Sequence, residues 1–333
     1  MKFLFIAGGA GEYAILKPLV NYVQEQGDSA MFLVSGHIAE IVKSEYKDDM
    51  DIEIFTPEDA EMRIHSICEF YKVDVLVMKP SRGWMMRFKR PDSIKYAVTV
   101  EDNLNFRGLG GSYKLDKVYP EWIDIYAVNW HPEVFKKALD AHYGIDSLEV
   151  YEDLQKKVKP IGWLGTKIEK NAEEPYSFAY FGSRNTGNPG WLQVFVDAFF
   201  KVNLNKKLIA VSDDIVIGNY PNLEVVPMVN KFDELVASAD EVFVHEGWGT
   251  ISKAIVNEVP VMSLASKNRI KQVEIKPASD LGIIYKVDRA TSPFDMEELD
   301  KEIEKFRAER GSLAKAMKKY SMDGCENLYK LLK

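Results

Sequence analysis

The chain has 333 residues, 46% hydrophobic and 28% charged, enough for two domains with full cores. Its formal net charge of −8 argues against a general nucleic-acid binder. The two cysteines, Cys68 and Cys325, form neither a disulfide framework nor a metal spacing, so a reducing, cytoplasmic setting is expected.

In chain order, the first predicted element is a strand over Lys2 to Ala7. It is too short for a signal-peptide core and runs into a turn, Gly8-Gly9-Ala10-Gly11-Glu12-Tyr13. A helix follows with Ile15, Leu16, Leu19, Val20 and Val23 on one face, ended by Gly27. Strands are expected at Ala30–Val34, Ile52–Phe55, Val73–Met78, Tyr96–Val100 and Ile125–Val128, with helices at Pro57–Tyr71 and Pro132–Tyr143. No apolar run approaches the ~20 residues of a membrane span.

Lys159-Pro160-Ile161-Gly162-Trp163-Leu164-Gly165 and the polar stretch from Thr166 to Pro175 mark a boundary, dividing the chain into domains 1–163 and 164–333. The last helix is a candidate to pack back on the first domain. Past the boundary the alternation restarts. A strand over Ser177–Phe181 leads into a Gly-rich loop, 182–190, and a helix over Trp191–Val202. Strands follow at Lys207–Val211 and Leu223–Val226, then a helix at Phe232–Ala239. Two amphipathic helices are expected at the end, Asp295–Arg310 and Leu313–Leu332. Strands alternating with helices predict an α/β protein of two doubly wound Rossmann-like domains. Ligands of such sheets sit beyond the carboxyl ends of the strands, so the glycine loops should face one cleft.

The most informative stretch is Val242 to Leu264. An apolar run ends at His245-Glu246-Gly247-Trp248-Gly249-Thr250, a short helical pattern follows, and Pro260 precedes a second apolar run. Such a βαβ unit aims backbone N–H groups and a helix dipole at one point, a site suited to phosphate. Gly247 and Gly249 allow close approach, Thr250 can offer a hydroxyl, and His245 can donate to the same anion. The same pattern also fits an ordinary strand–turn–helix with a surface histidine.

The second half resembles the donor-binding half of a GT-B glycosyltransferase, on three stretches in order. Gly182-Ser183 is similar to the phosphate loop that opens that half. Pro221 to Val229 is similar to the segment whose backbone edge holds the base, and His245 to Thr250, continued to Val259-Pro260, to the nucleotide-sugar signature of the UDP-glycosyltransferases. Within that superfamily the likeness is to the peptidoglycan N-acetylglucosaminyltransferase that makes lipid II. Gly8 to Gly11 is similar to its first loop, Glu101-Asp102-Asn103 to its acceptor-side Glu-x-Asn motif, and Asn268-Arg269 with Lys271-Gln272 to its sugar-contacting cluster.

The resemblance implies GT-B architecture and inverting transfer from a nucleotide-sugar, a UDP-sugar, to an acceptor hydroxyl, without cofactor or metal. The implied donor residues are Gly182, Ser183, Arg184, Met228, Val229, Phe232, His245, Gly247, Trp248, Gly249, Thr250, Lys253 and Gln272. The acceptor side comprises Gly9, Gly11, Tyr13, Asp102 and Asn103. Three positions depart from the pattern. Tyr13 stands where the family has a histidine, Lys253 where a glutamate typically holds the ribose hydroxyls, and Glu258 where a glycine is common. The base then falls to a carboxylate, Glu101 or Glu12, with Asp102 a further candidate. A nucleotide-sugar-binding protein without transfer and a nucleotide-sugar epimerase are the alternatives.

One segment stands outside this scheme. Arg82, Trp84, Arg87, Phe88, Lys89 and Arg90 interleave cations with aromatics. They fit an anionic membrane face or a lipid-linked acceptor, and equally a loop packed on the acceptor side. His37, His65, His131 and His142 show no ligand spacing and are expected to be structural.

Overall fold

The computed structural model describes residues 1–46, 50–79, 88–101, 122–141, 155–171, 174–182, 190–212, 216–227, 231–245, 247–264, 269–287 and 296–333, with backbone alone at 37, 269–274, 296 and 297. They form two compact units, one of residues 1–165 with 322–333 and one of residues 166–321.

The first unit is a seven-stranded, all-parallel sheet in the order β3-β2-β1-β4-β5-β6-β7. Its strands are β1 (Lys2–Ala7), β2 (Ser29–Ser35), β3 (Asp51–Phe55), β4 (Val75–Met78), β5 (Tyr96–Glu101), β6 (Ile125–Val128) and β7 (Val158–Pro160). Helices α1 (Ala10–Glu25), α2 (Gly36–Tyr46), α3 (Ala60–Tyr71) and α4 (Pro132–Asp140) make the crossovers. Central strands such as β1 and β4 are apolar throughout their buried length because helices cover both faces. Leu16, Leu19, Val20 and Val23 of α1 close over Phe3 and Phe5 as the 3.6-residue pattern predicts.

The second unit has six parallel strands in the order β10-β9-β8-β11-β12-β13. They are β8 (Tyr176–Tyr180), β9 (Lys207–Val211), β10 (Leu223–Val226), β11 (Glu241–Val244), β12 (Val261–Leu264) and β13 (Tyr285–Val287). Its helices are α5 (Trp191–Val202), α6 (Phe232–Ser238), α7 (Trp248–Val256), α8 (Arg269–Asp280) and α9 (Met296–Lys319). Phe195, Phe199, Phe243 and Phe306 form the centre of its core. The break expected between Arg310 and Leu313 is absent, and α9 runs through Gly311, whose α-carbon faces open space.

The final helix, α10 (Gly324–Leu332), belongs to the first unit. Tyr329 stacks on Phe3 with ring centroids 6.4 Å apart and donates to Asp28 at 2.8 Å. Cys325, Leu328 and Leu332 enter the same core as β1 and α1. The return is pinned where the chain passes itself. Trp163 N donates to Met322 O at 2.9 Å and Gly324 N to Trp163 O at 3.0 Å. A Cβ on Gly162, whose φ is +102°, would lie 2.6 Å from the Met322 carbonyl oxygen.

Candidate functional site

In both sheets the strand order reverses once, between β1 and β4 and between β8 and β11. A doubly wound sheet opens a crevice at that point, beyond the carboxyl ends, because the chain leaves the two adjacent strands toward opposite sides.

In the second unit Val244 lies in register with Tyr180, so the chain past β11 emerges beside the chain past β8. Gly182, at φ +93°, comes two residues after the end of β8, and His245 is the first residue after β11. Trp191, at the start of α5, is 4% exposed, and its ring centroid lies 5.9 Å from the His245 imidazole. Helix α7 begins immediately after, with Gly247 as its N-cap and no side-chain cap. Thr250 N and Ile251 N both bond Gly247 O at 3.0 Å. First-turn amides of a helix face its N-terminus, so the start of α7 at Trp248 presents backbone N–H groups at the end of β11. Trp248 and Thr250 are buried beneath them.

Lys253, one turn further along α7, is buried and pairs with Asp233 Oδ1 at 2.5 Å. Asp233 stands in the first turn of α6, which packs against α7. The Lys253 ammonium also lies 5.4 Å from the centroid of Phe232. Phe232 in turn meets Phe178 and Tyr180 at 5.4 and 5.0 Å. The structure therefore joins Gly182, His245, Gly247, Trp248, Gly249, Thr250, Lys253 and Phe232 around one switch point. Ser183, Arg184, Met228 and Val229 lie outside the described residues. Gln272 falls on α8, with its side chain likewise outside them.

In the first unit the turn after β1 is built around Gly8. Its N–H donates to the Glu12 carboxylate and its carbonyl accepts from Ser35 Oγ at 2.9 Å. Glu12 is 5% exposed, so its carboxylate sits inside the turn. Gly9 caps α1 through its backbone, and a Cβ on Gly11 would meet nothing within 4 Å. Glu101 ends β5, two strands from β1 across β4, and is also buried. Its carbonyl accepts from Asn129 N at 2.8 Å. Burial and then the Glu101 charge push the Tyr126 phenol above its ordinary range. Lys79 directly follows β4 at the switch point and is buried.

Tyr13 is placed apart from the turn's open side. Its ring packs on Phe32 at 5.4 Å, and its hydroxyl donates to Glu45 at 2.5 Å, which Lys17 also pairs at 2.7 Å. Burial, then Glu45, raises its pKa far above the phenol range. Asp102 and Asn103 lie outside the described residues.

The cationic segment divides. Arg82, Trp84 and Arg87 lie outside the described residues. Phe88 is 9% exposed, which corrects its assignment to an open membrane face. Trp122 Nε1 donates to its carbonyl at 2.6 Å. Lys89 is tied through its backbone to Glu61 and His65, and Arg90 bonds Asp124, Trp122 O and Lys95 O at 2.8–2.9 Å. Arg90 is thereby a structural clamp. His131 caps α4 by accepting Glu133 N at its Nδ1. Among the described residues no cluster of three or more His, Cys, Asp or Glu could hold a metal, and no helix is long and apolar enough to cross a membrane.

Trp191, Asp233, Ser35, Asn129 and Lys79 join these crevices without having been singled out from the sequence. The signal for Lys79 was local, a lone cation directly after an apolar strand. Asp233 had none, because its partner lies 20 residues away on another helix.

No family model matches the chain, and no curated protein matches it by sequence. Solved structures do. A crystal structure of the glycotransferase of kitacinnamycin superposes with a TM-score of 0.62 at 14% identity, over 99% of this chain and 98% of that one. The glycosyltransferase SnogD from Streptomyces nogalater gives 0.58 at 14% identity, over 100% and 99%. Phytolacca americana UGT2, complexed with UDP-2fluoro-glucose and pterostilbene, gives 0.67 at 10% identity, over 99% and 98%. The two parallel-sheet α/β domains thus share the fold of GT-B glycosyltransferases along their whole length.

Proposed function

We propose that this protein is a glycosyltransferase. It moves a sugar from a nucleotide-sugar, a UDP-sugar, to an acceptor hydroxyl with inversion and without metal. The observation that supports this reading is the pairing of β8 and β11 at the switch point, since Gly182 follows the first, and His245 with the N-terminus of α7 follow the second. A diphosphate there would receive backbone N–H groups, a helix dipole and an imidazole, which together compensate the charge of the leaving group. The shared fold supports the class of reaction without naming donor or acceptor.

The first unit is assigned the acceptor. Inversion in one displacement needs a base that takes the acceptor hydroxyl proton as oxygen attacks the anomeric carbon. Glu101, buried at a strand end, is our base; Glu12, bonded to the Gly8 amide, organises the turn and is the second candidate. A lipid-linked acceptor, as in the peptidoglycan enzyme, is the form suggested by Glu101-Asp102-Asn103 and by Arg82, Trp84 and Arg87.

Nucleotide-sugar binding without transfer is the second reading. Tyr13 favours it, since its buried, Glu45-bonded hydroxyl leaves position 13 without a base.

A thermal-shift screen with UDP, GDP, dTDP and their sugars tests the donor, since a ligand of the folded state raises Tm. UDP and a UDP-sugar should stabilise the wild type and lose that effect in His245→Ala and Gly249→Asp. Release of UDP from the stabilising sugar, even by slow hydrolysis, separates transfer from binding alone. Absence of any nucleotide shift refutes both.

A further inference from the structure

We infer that Trp191 is the positioning residue of His245, the imidazole assigned to the diphosphate; the inference rests on the nucleotide reading above. His245 stands one residue beyond the β8–β11 ladder, which ends at the pair Tyr180–Val244. Past that point no strand register aims its side chain, and the half-buried imidazole takes its orientation from what packs on it. The Trp191 ring lies against it, with centroids 5.9 Å apart and planes tilted by 43°.

The way the chain delivers this indole is specific. Trp191 is the first residue of α5, and its N-cap Gly190 is left-handed at φ +87°. A Cβ on Gly190 would meet nothing within 4 Å, so the glycine serves the backbone turn and not a close approach. The turn sends Trp191 inward, where it joins the core of Phe181, Phe195 and Phe243 at 4% exposure. An indole anchored in that core has no freedom to swing. It belongs to the segment that follows β8, and His245 to the segment that follows β11, so the ring contact ties together the two arms that leave the switch point. A wall of this kind does two things for a phosphate ligand. It fixes the donor before the ligand arrives, which spares the cost of ordering a side chain on binding. It also keeps water from one side of the imidazole, where a hydrogen bond to phosphate is then stronger.

A residue that acts through His245 has no effect once His245 is gone, and this is measurable. The full chain is titrated calorimetrically with UDP as wild type, Trp191→Leu, His245→Ala and the double variant. His245→Ala should weaken UDP by about tenfold or more, and Trp191→Leu by about threefold or more. The double variant should bind UDP within about twofold of His245→Ala alone, since contacting residues are not additive. Trp191→Leu empties part of a packed core, so Trp191→Met, whose unbranched chain fills more of the space, is taken through the same cycle and should give the same pattern. Uridine, which lacks the diphosphate, should bind the Trp191 variants as it binds wild type. Unchanged UDP affinity in the Trp191 variants or in His245→Ala, losses that multiply in the double variant, or an equal loss for uridine overturns the inference while the nucleotide site stands. Failure of wild type to bind UDP overturns the nucleotide reading and the inference with it.

Discussion

Arg307, on α9, grips Glu241, the first residue of β11, through Nε and Nη2 while its Nη1 bonds Asn203. Lys206, Arg310 and Ser177 complete the shell at 2.7–3.2 Å, around a carboxylate that is fully buried. Burial alone would raise its pKa; bonds from Arg307, Lys206 and Ser177 outweigh it and hold the carboxyl at about 2, against 4.5 normally. The folded pKa is depressed, so its stabilisation is present above the unfolded value and is lost as pH falls toward about 2. Glu241→Gln leaves three cations facing a neutral amide, and breaking such a buried cluster costs about 3–5 kcal/mol. Urea unfolding should show that gap at pH 7 and a shrinking gap between pH 4.5 and about 2. A gap constant over that range contradicts the assignment.

Glu258 follows α7 with φ +57°, a left-handed conformation that costs a non-glycine residue about 1–2 kcal/mol. The chain adopts it so that Glu258 N and Val259 N can bond Ile255 O and Ala254 O, closing the helix before β12. Among the described residues the carboxylate meets Lys167 at the exposed surface, a contact of small worth. Glu258→Gly should therefore stabilise the second unit by about 1 kcal/mol in denaturant unfolding.

Gly162→Ala should do the opposite. Its Cβ would sit 2.6 Å from the Met322 carbonyl oxygen, and backbone cannot yield as a flexible side chain can. A loss of about 2 kcal/mol or more is expected, with proteolysis near 322 as a local readout.

His131 caps α4 only while neutral at Nδ1, and burial lowers its pKa below the usual 6.5, against a smaller opposing effect of Glu133. A depressed histidine favours the folded state above 6.5 and withdraws that contribution as pH falls through the folded value. Hydrogen exchange of α4 should quicken on going from pH 7 to pH 5, once corrected for intrinsic rates. His131→Asn, an N-cap without a titration in that range, should show no such change.

Glu101→Gln should lower turnover by at least about a hundredfold while nucleotide binding stays at wild-type strength, as removal of a general base requires. Glu12→Gln replaces one acceptor of the Gly8 amide and should instead change acceptor KM together with stability.

Much of this was legible in the residues. Lys2–Ala7 and Val242–Val244 gave unbroken apolar runs ending at glycine-bearing turns, and two doubly wound domains follow from such runs alternating with amphipathic helices. Helix α2 was not expected. It starts without a break from β2 at Gly36, so no capping residue announces it. Strand β7, of three residues, is too short to show a period. Within the candidate site, His245 to Thr250 was readable because its geometry is local in sequence. The Lys253–Asp233 pair and the burial of Tyr13 against Phe32 and Glu45 depend on which helices become neighbours, and periodicity does not carry that.

The homing of α10 has a consequence for synthesis. The second unit is contiguous, residues 166–321, whereas the first lacks Cys325, Leu328, Tyr329 and Leu332 until the chain has been made through Leu332. On the ribosome the order of completion therefore inverts the order of translation: the later unit can finish folding while the earlier one waits with part of its core open to water. An apolar core left incomplete in this way is a target for chaperones and for aggregation until α10 has been made.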